Sequence, residues 1–131
     1  MANGLLKTAT AKMNLPGPDR PITIARNGKR VRVTFADRVI ADTARALTLK
    51  EASYPAVNYI PRADTDMGAL TRTEHASHCP YKGDASYFTI VVDGRRTENA
   101  VWSYEQPFPA MAEIKDHLAF YPDRVDKIEE S

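Results

Sequence analysis

A series of short β-type segments separated by turn residues is the feature that most constrains the fold of this chain. Apolar and polar residues alternate along these segments, and proline, glycine, asparagine or aspartate closes most of them. The patterns predict about eight or nine strands and one or two short helices, without the strand–helix alternation of parallel nucleotide-binding sheets. We therefore expect a mainly β domain of packed antiparallel sheets.

Two β-hairpins are predicted from their turn residues. Ile22–Arg26 and Arg30–Phe35 flank Asn27-Gly28, a pair that suits the two positive φ angles of a type I′ turn. Ser86–Val92 is the strongest strand candidate by its β-branched and aromatic residues, and Asp93-Gly94 then leads into the next strand. We expect each turn to join two neighbouring strands of one sheet.

The remaining predicted elements have weaker patterns. Pro109 suits the first turn of a short amphipathic helix over 109–116, and Asp64 or Asp66 is able to cap a single helical turn before Leu70. The other candidates are strands at 38–42, 46–49, 57–60 and 117–121, and a weak strand or a frayed end after residue 123.

Length and charge limit the number of domains and the kinds of partner. A chain of 131 residues has the size of one domain, and we expect a flexible N-terminal arm over 1–20 and a single domain over 21–131. The 18 basic and 17 acidic residues leave a net charge of +1. Because no long-range field attracts nucleic acid or an anionic membrane, we expect neither as a partner.

The sequence also favours a cytoplasmic protein. Cys79 is the single cysteine, which excludes an intramolecular disulfide. No apolar run reaches the roughly 20 residues of a membrane span. Met1–Lys12 contains too few apolar residues for a secretory signal.

The run His78-Cys79-Pro80-Tyr81-Lys82-Gly83 places an imidazole, a thiol, a phenol and an amine close together. Its proline and glycine predict a tight turn that fixes the directions of these side chains. This run is therefore the first candidate for a functional site.

Six motifs together resemble those of a known family, and they are Pro16-Gly17-Pro18-Asp19, Arg38-Val39-Ile40-Ala41-Asp42-Thr43, Tyr59-Ile60-Pro61-Arg62-Ala63-Asp64, Cys79-Pro80-Tyr81-Lys82-Gly83, Asn99-Ala100-Val101-Trp102-Ser103-Tyr104-Glu105 and Ala119-Phe120-Tyr121-Pro122. The chain is similar to the bacterial family called domain of unknown function 427, from Leu15 to Glu129. The resemblance implies a small β-tent fold, in which antiparallel sheets lean on each other, and a pocket. The family has a nucleotidyltransferase-like label and no firmly assigned reaction. Arg20 stands where the family commonly has histidine.

A metal site is not expected. His75, His78 and Cys79 have a spacing that would group them on one face of a helix, but Pro80 argues against a helix there. Zinc-carrying proteins of the β-tent fold typically use paired Cys-x-x-Cys motifs, whereas this chain has one cysteine. We expect no metal and no other cofactor.

Four residues are candidates for catalysis. Cys79 is a potential nucleophile, Lys82 a nucleophile or an acid/base group, and Asp64 or Glu105 an assisting carboxylate. Asp64-Thr65-Asp66 resembles the carboxylate pair that holds Mg²⁺ in nucleotidyl transfer. Because no Gly-Ser helix start precedes it and no third carboxylate follows, capping or turn formation explains these aspartates better. Burial as a small apolar residue is the alternative for Cys79.

Aromatic residues from separate predicted strands favour a binding pocket. Phenol and indole rings beside basic groups suit a small planar or anionic ligand, with Lys82 or Arg62 holding the anionic group. Ordinary core packing is the alternative for the rings. The predicted ligand-binding residues are Tyr59, Arg62, Tyr81, Lys82, Trp102 and Tyr104.

Three kinds of function are therefore open. A small-ligand binding domain is preferred, because the sequence supplies a pocket lining without a complete catalytic set. The alternatives are an enzyme that uses Cys79 or Lys82, and a protein–protein interaction module that uses an exposed strand edge. Either a monomer or a homodimer fits each of them.

Overall fold

The computed structural model describes residues 13–131, which form ten strands and four short 3₁₀ segments. The predictions about Met1–Lys12 lie outside the described residues. The strands are β1 (Ile22–Arg26), β2 (Val31–Phe35), β3 (Arg38–Thr43), β4 (Leu47–Glu51), β5 (Val57–Pro61), β6 (Leu70–Cys79), β7 (Gly83–Val92), β8 (Arg95–Ser103), β9 (His117–Phe120) and β10 (Lys127–Glu130).

The strand pairings within this range are all antiparallel, and they form two sheets. The large sheet has the order β1-β4-β5-β9-β8-β7-β6, and the small sheet has the order β10-β2-β3. The predicted mainly β fold of packed antiparallel sheets is therefore confirmed.

The two faces of the large sheet have different roles, because successive residues of a strand point to opposite faces. Val101 and Phe120 pack toward the small sheet, where they join Val33 in the main hydrophobic core. Their neighbours Trp102 and Ala119 belong to a second apolar cluster on the opposite face. This second face has most of the buried tyrosines, and it carries the candidate site.

The predicted hairpin at Asn27-Gly28 is wrong. β1 pairs with β4 in the large sheet, whereas β2 pairs with β3 and β10 in the small sheet. Of the two turn residues, only Gly28 has a positive φ, of 82°, so the type I′ turn does not form. The Asn27 backbone N–H instead donates to the Ala46 carbonyl, and the connection crosses from one sheet to the other.

Two other turns connect paired strands through positive φ angles. Asp93 and Gly94 have φ angles of 49° and 82° and join β7 to β8, which confirms the second predicted hairpin. Ala36 and Asp37 have φ angles of 52° and 61° and join β2 to β3. This turn was not predicted, because alanine has no preference for positive φ.

Strand β6 was also not predicted. It forms one edge of the large sheet, and most of its side chains are exposed, so it has no apolar face to give a period-two pattern. Its register with β7 shifts between Arg72 and Ala76, as in a β-bulge.

The helical elements are all short. The 3₁₀ segments are Arg62–Asp64, Met67–Ala69, Pro109–Ile114 and Pro122–Arg124. Asp66 caps the second by accepting a hydrogen bond from the Gly68 N–H, as predicted for one of the two aspartates. In the third, Met111 leaves the helical region with φ −111° and ψ 18°, so the predicted amphipathic helix is a kinked 3₁₀ segment. Within residues 13–131, no helix is long and apolar enough to span a membrane.

Gly83→Ala should destabilise the domain. Gly83 has a φ of 111°, and an added Cβ would lie 3.4 Å from the Gln106 carbonyl oxygen and the Phe108 nitrogen. A non-glycine residue held in such a conformation costs on the order of 1–3 kcal/mol. We expect a loss of that size in the free energy of unfolding, measured with urea.

Gly17→Ala is the matched control, because its added Cβ has no atom within 4 Å and its φ lies outside the left-handed region. Its effect should stay within about 0.5 kcal/mol. Gly94→Ala separates backbone strain from crowding, since Gly94 has a positive φ in open space. Equal losses at Gly83 and Gly17 would contradict the explanation.

Candidate functional site

A cavity of about 230 Å³ lies on the second face of the large sheet. Its walls come from alternate residues of the central strands, which point to this face, and from the turn between β6 and β7. We call it the aromatic pocket, and its main lining residues are Tyr59, Lys82, Tyr87, Trp102, Tyr104 and Tyr121. Four of the six predicted ligand-binding residues thus lie around one cavity: Tyr59, Lys82, Trp102 and Tyr104.

The rings of the aromatic pocket hold one another in place. The Trp102 indole Nε1 donates a hydrogen bond of 3.2 Å to the Tyr59 hydroxyl, and the two rings are perpendicular. The ring of Tyr121 lies 4.5 Å from that of Trp102 between centroids. These contacts give the pocket a fixed apolar wall.

The phenols of Tyr59, Tyr104 and Tyr121 are neutral groups at ordinary pH. Burial raises the pKa of Tyr59 and of Tyr104 above the usual tyrosine value. Burial, with the neighbouring Tyr87, raises the pKa of Tyr121 to about 12. Their hydroxyls therefore act as hydrogen-bond donors or acceptors and not as bases.

A charged group of three residues forms one side of the pocket. The Lys82 Nζ lies 2.5 Å from Glu51 Oε1, and Arg20 donates to Glu51 Oε2 from its Nε at 2.9 Å. The side chains of Glu51 and Lys82 are only 11% and 10% exposed. Burial alone would raise the pKa of Glu51, but the hydrogen bonds from Lys82 and Arg20 outweigh it and lower that pKa. One carboxylate between two cations leaves a net charge of +1.

The predicted turn positions Lys82. The Lys82 carbonyl accepts a hydrogen bond from the Phe108 N–H, and the Pro80 carbonyl accepts one from the Asn14 N–H. The positive φ of Gly83 then starts β7. The main chain on both sides of the lysine is therefore fixed by other segments.

Cys79 lies at the end of β6, next to this charged group. Its Sγ is 3.6 Å from the Lys82 Nζ, and its side chain is half-buried. Within residues 13–131, the histidines have other contacts: His75 packs on Tyr87, His78 binds Asp84, and His117 contacts the Lys115 carbonyl. The Lys82 ammonium is thus the charged group that contacts the thiol.

Tyr81 does not line the aromatic pocket. Its ring lies on one side of the Arg20 guanidinium, 5.2 Å from centroid to Cζ, and the ring of Tyr54 lies 5.3 Å from the same atom. Tyr81 therefore holds Arg20 beside Glu51 through a cation–π contact.

Arg62 and Glu105 belong to a separate cluster. Glu105 accepts hydrogen bonds from Arg62 at 3.1 Å, from Arg72 at 2.7 Å and from the Ser86 hydroxyl at 2.9 Å. The hydrogen bond from Arg72 is the main cause that lowers the pKa of Glu105 to about 2. Glu105 is therefore a structural anion under ordinary conditions, and it lies outside the aromatic pocket.

Asp64 and Asp66 are engaged in separate ion pairs. Asp64 accepts from Thr43 and Arg45, whereas Asp66 pairs with Arg38 and caps the 3₁₀ turn. They do not converge as a carboxylate pair for Mg²⁺. In the described part of the chain, no group of three or more histidine, cysteine, aspartate or glutamate side chains is arranged to hold a metal ion.

Glu51 is the main site residue that the sequence analysis missed. The sequence does contain a pattern that indicates its position. Leu47, Leu49 and Glu51 occupy every second position of β4 and therefore point to the same face. A charged residue in the last position of an apolar face indicates a buried carboxylate that needs partners. The sequence pattern places Arg20 in the predicted N-terminal arm, and its role follows only from the tertiary structure.

The structure defines a small antiparallel β domain with an aromatic pocket and one buried ion-pair group. Residues 23–131 match the family model described as Domain of unknown function (DUF427). The chain therefore belongs to this family, as the sequence motifs predicted. No curated protein matches the sequence.

Lys82→Met should lower the free energy of unfolding by about 2 kcal/mol, because Glu51 stays buried with Arg20 as its remaining partner. The double variant Glu51→Gln/Lys82→Met should recover part of this loss. Urea denaturation of both variants and of wild type measures the coupling. A double variant less stable than either single variant would contradict a stabilising pair.

The stability of the domain should fall as the pH is lowered from about 4.5 toward about 2. In this window the Glu105 carboxyl of the unfolded chain takes up a proton, while the folded carboxylate stays ionised. In Glu105→Gln, the free energy of unfolding that is lost over this pH window should be about 1–2 kcal/mol smaller than in wild type. This value is reduced for solvent screening.

Glu113→Gln is the control, because Glu113 is exposed and its substitution also removes one carboxylate. Denaturant unfolding at several pH values between 2 and 7 compares the two variants. If Glu105→Gln and wild type lose stability in parallel, the ion cluster has no role in acid unfolding.

Proposed function

We propose that this domain binds a small planar ligand with an anionic group in the aromatic pocket. The observation that carries the proposal is the net positive charge of the group Arg20, Glu51 and Lys82, of which Glu51 and Lys82 line a cavity whose other walls are aromatic and aliphatic. Rings favour a flat apolar body, and the charged group favours an anion.

The size of the cavity limits the ligand. Pockets for drug-sized molecules usually have volumes of roughly 300–1,000 Å³, whereas the aromatic pocket has about 230 Å³. A molecule of about one substituted ring fits this space.

Lys82 is the residue suited to hold the anion. Its ammonium has three N–H donors, and within residues 13–131 Glu51 and Cys79 accept two of them. Glu51 and Lys82 both line the pocket. The third donor of Lys82 is therefore available to a carboxylate of a ligand bound there. The neutral hydroxyl of Tyr104 offers a further hydrogen bond to a polar substituent.

An enzymatic role is the second candidate, and the 3.6 Å separation of Cys79 Sγ and Lys82 Nζ favours it. A cysteine sulfur next to an ammonium is a nucleophile of the kind used in covalent catalysis. In that case the Cys79 sulfur adds to the carbonyl carbon of a ligand, the π bond of the carbonyl opens, and Lys82 acts as the acid/base group that passes the thiol proton to the resulting oxygen. Labelling with iodoacetamide no faster than that of free cysteine would argue against this role.

Whether the domain binds a ligand or catalyses a reaction, we propose that the protein lies in the cytoplasm.

The binding proposal is tested with three probes of similar shape and different charge: benzoate, benzyl alcohol and benzylamine. Benzoate should perturb the amide resonances of Leu49, Tyr59 and Lys82 in a ¹H–¹⁵N NMR titration more strongly than the other two. Trp102 is the single tryptophan and lines the pocket, so quenching of its emission by benzoate gives a second measure of the dissociation constant.

Lys82→Met should weaken benzoate binding about tenfold, the effect of one charge-assisted hydrogen bond of about 1.4 kcal/mol. Lys29→Met is the control, because Lys29 is exposed between β1 and β2. Circular dichroism checks that both variants are folded. Equal affinity of Lys82→Met and wild type for benzoate, or no shifts near the pocket at millimolar benzoate, would overturn the proposal.

A further inference from the structure

A second cavity, of about 220 Å³, lies between the two sheets. The small sheet contributes Ile128 and Glu130 of β10, and the large sheet contributes Val57, Asn58 and Trp102. We call this cavity the inter-sheet cleft. The proposed function does not involve it.

The inter-sheet cleft has an apolar interior and a polar edge. Of its eleven lining residues, nine are apolar, and the other two are Asn58 and Glu130. A strongly hydrated molecule would lose its water shell without replacement in such an interior. A ligand therefore needs an apolar body, with any polar group directed to the edge.

Hydrogen bonds hold the Glu130 carboxylate at this edge. Its Oε1 accepts from the side-chain amide of Asn27 at 3.1 Å, and its Oε2 accepts from that of Asn58 at 3.2 Å. A carboxylate has about four acceptor positions, so two remain for a ligand. The same Asn27 nitrogen lies 3.1 Å from Thr48 Oγ1 and 2.9 Å from Asn58 Oδ1, so its two N–H groups are shared among three acceptors and connect this edge to β4 and β5.

The charge of the cleft is opposite to that of the group Arg20, Glu51 and Lys82 beside the aromatic pocket. No lysine or arginine is among the residues that line the cleft, and in residues 13–131 Glu130 forms no ion pair. Its lining thus has a net charge of −1, which attracts a cation and disfavours an anion.

We propose that the inter-sheet cleft is a second binding site, which takes a small apolar amine. The apolar body lies between β5, β8 and β10, and the ammonium binds the Glu130 carboxylate. This site is distinct from the one for the anionic ligand, although Val57 and Trp102 line both cavities.

Benzylamine is the probe, with benzyl alcohol and benzoate as uncharged and anionic controls of the same shape. In a ¹H–¹⁵N NMR titration, benzylamine should shift the amide resonances of Val33, Asn58 and Ile128, and benzoate should leave them unchanged. The readout is distinct from that of the aromatic pocket, since Leu49 and Lys82 do not line the cleft.

Glu130→Gln should weaken benzylamine binding about three- to fivefold, the range expected for one exposed ion pair. Glu129→Gln is the matched control, because Glu129 lies next to it on β10 and does not line the cleft. Ile128→Phe fills the cavity and should abolish the shifts, while a wild-type-like spectrum elsewhere shows that the domain is folded.

The outcomes separate the two proposals. Benzylamine shifts that depend on Glu130 but not on Glu129 support the second site whether or not benzoate binds near Lys82. Equal effects of the two glutamate variants, or equal shifts of the cleft resonances by benzoate, would falsify it. Absence of any benzylamine shift at Val33 and Ile128 also overturns it.

Discussion

The candidate site depends on one buried carboxylate. An unpaired buried charge costs several kcal/mol, so Glu51 at the end of β4 requires both cations that contact it. Lys82 comes from the turn between β6 and β7, and Arg20 comes from the segment before β1. A single charge therefore links three distant parts of the sequence at the same wall, in addition to the main-chain hydrogen bonds that hold the turn.

The sequence predicted strands well where local patterns and tertiary pairing agree. Asp93-Gly94 provides both positive φ angles of a hairpin, and the strands on either side of it pair. Asn27-Gly28 has an equally favourable local preference for a type I′ turn. Its flanking strands nevertheless pair in different sheets, β1 with β4 and β2 with β3, and this tertiary pairing overrides the preference. β6 has no apolar face, because it is an exposed edge, so hydrophobic periodicity contains no information about it.

The candidate site was predictable to the extent that strand alternation determines it. Tyr59 and Trp102 point to one face because each occupies the appropriate alternate position on its strand, and they meet as expected. Arg62 follows β5 in a 3₁₀ turn, where it pairs with Glu105 outside the pocket. Long charged side chains reach partners that strand periodicity does not specify, which is why the pairing of Glu51 was not foreseen.

The alternation along β8 also ties the pocket to the register of the large sheet. Val101 is fully buried in the main core, and the next residue, Trp102, forms the partition between the two cavities. A slip of one residue in the pairing of β8 with β9 would turn the indole into the core and the valine out of it. Deletion of a single residue inside this strand thus removes both cavities at once, whereas a change of length in the loop at 52–56 leaves the register intact.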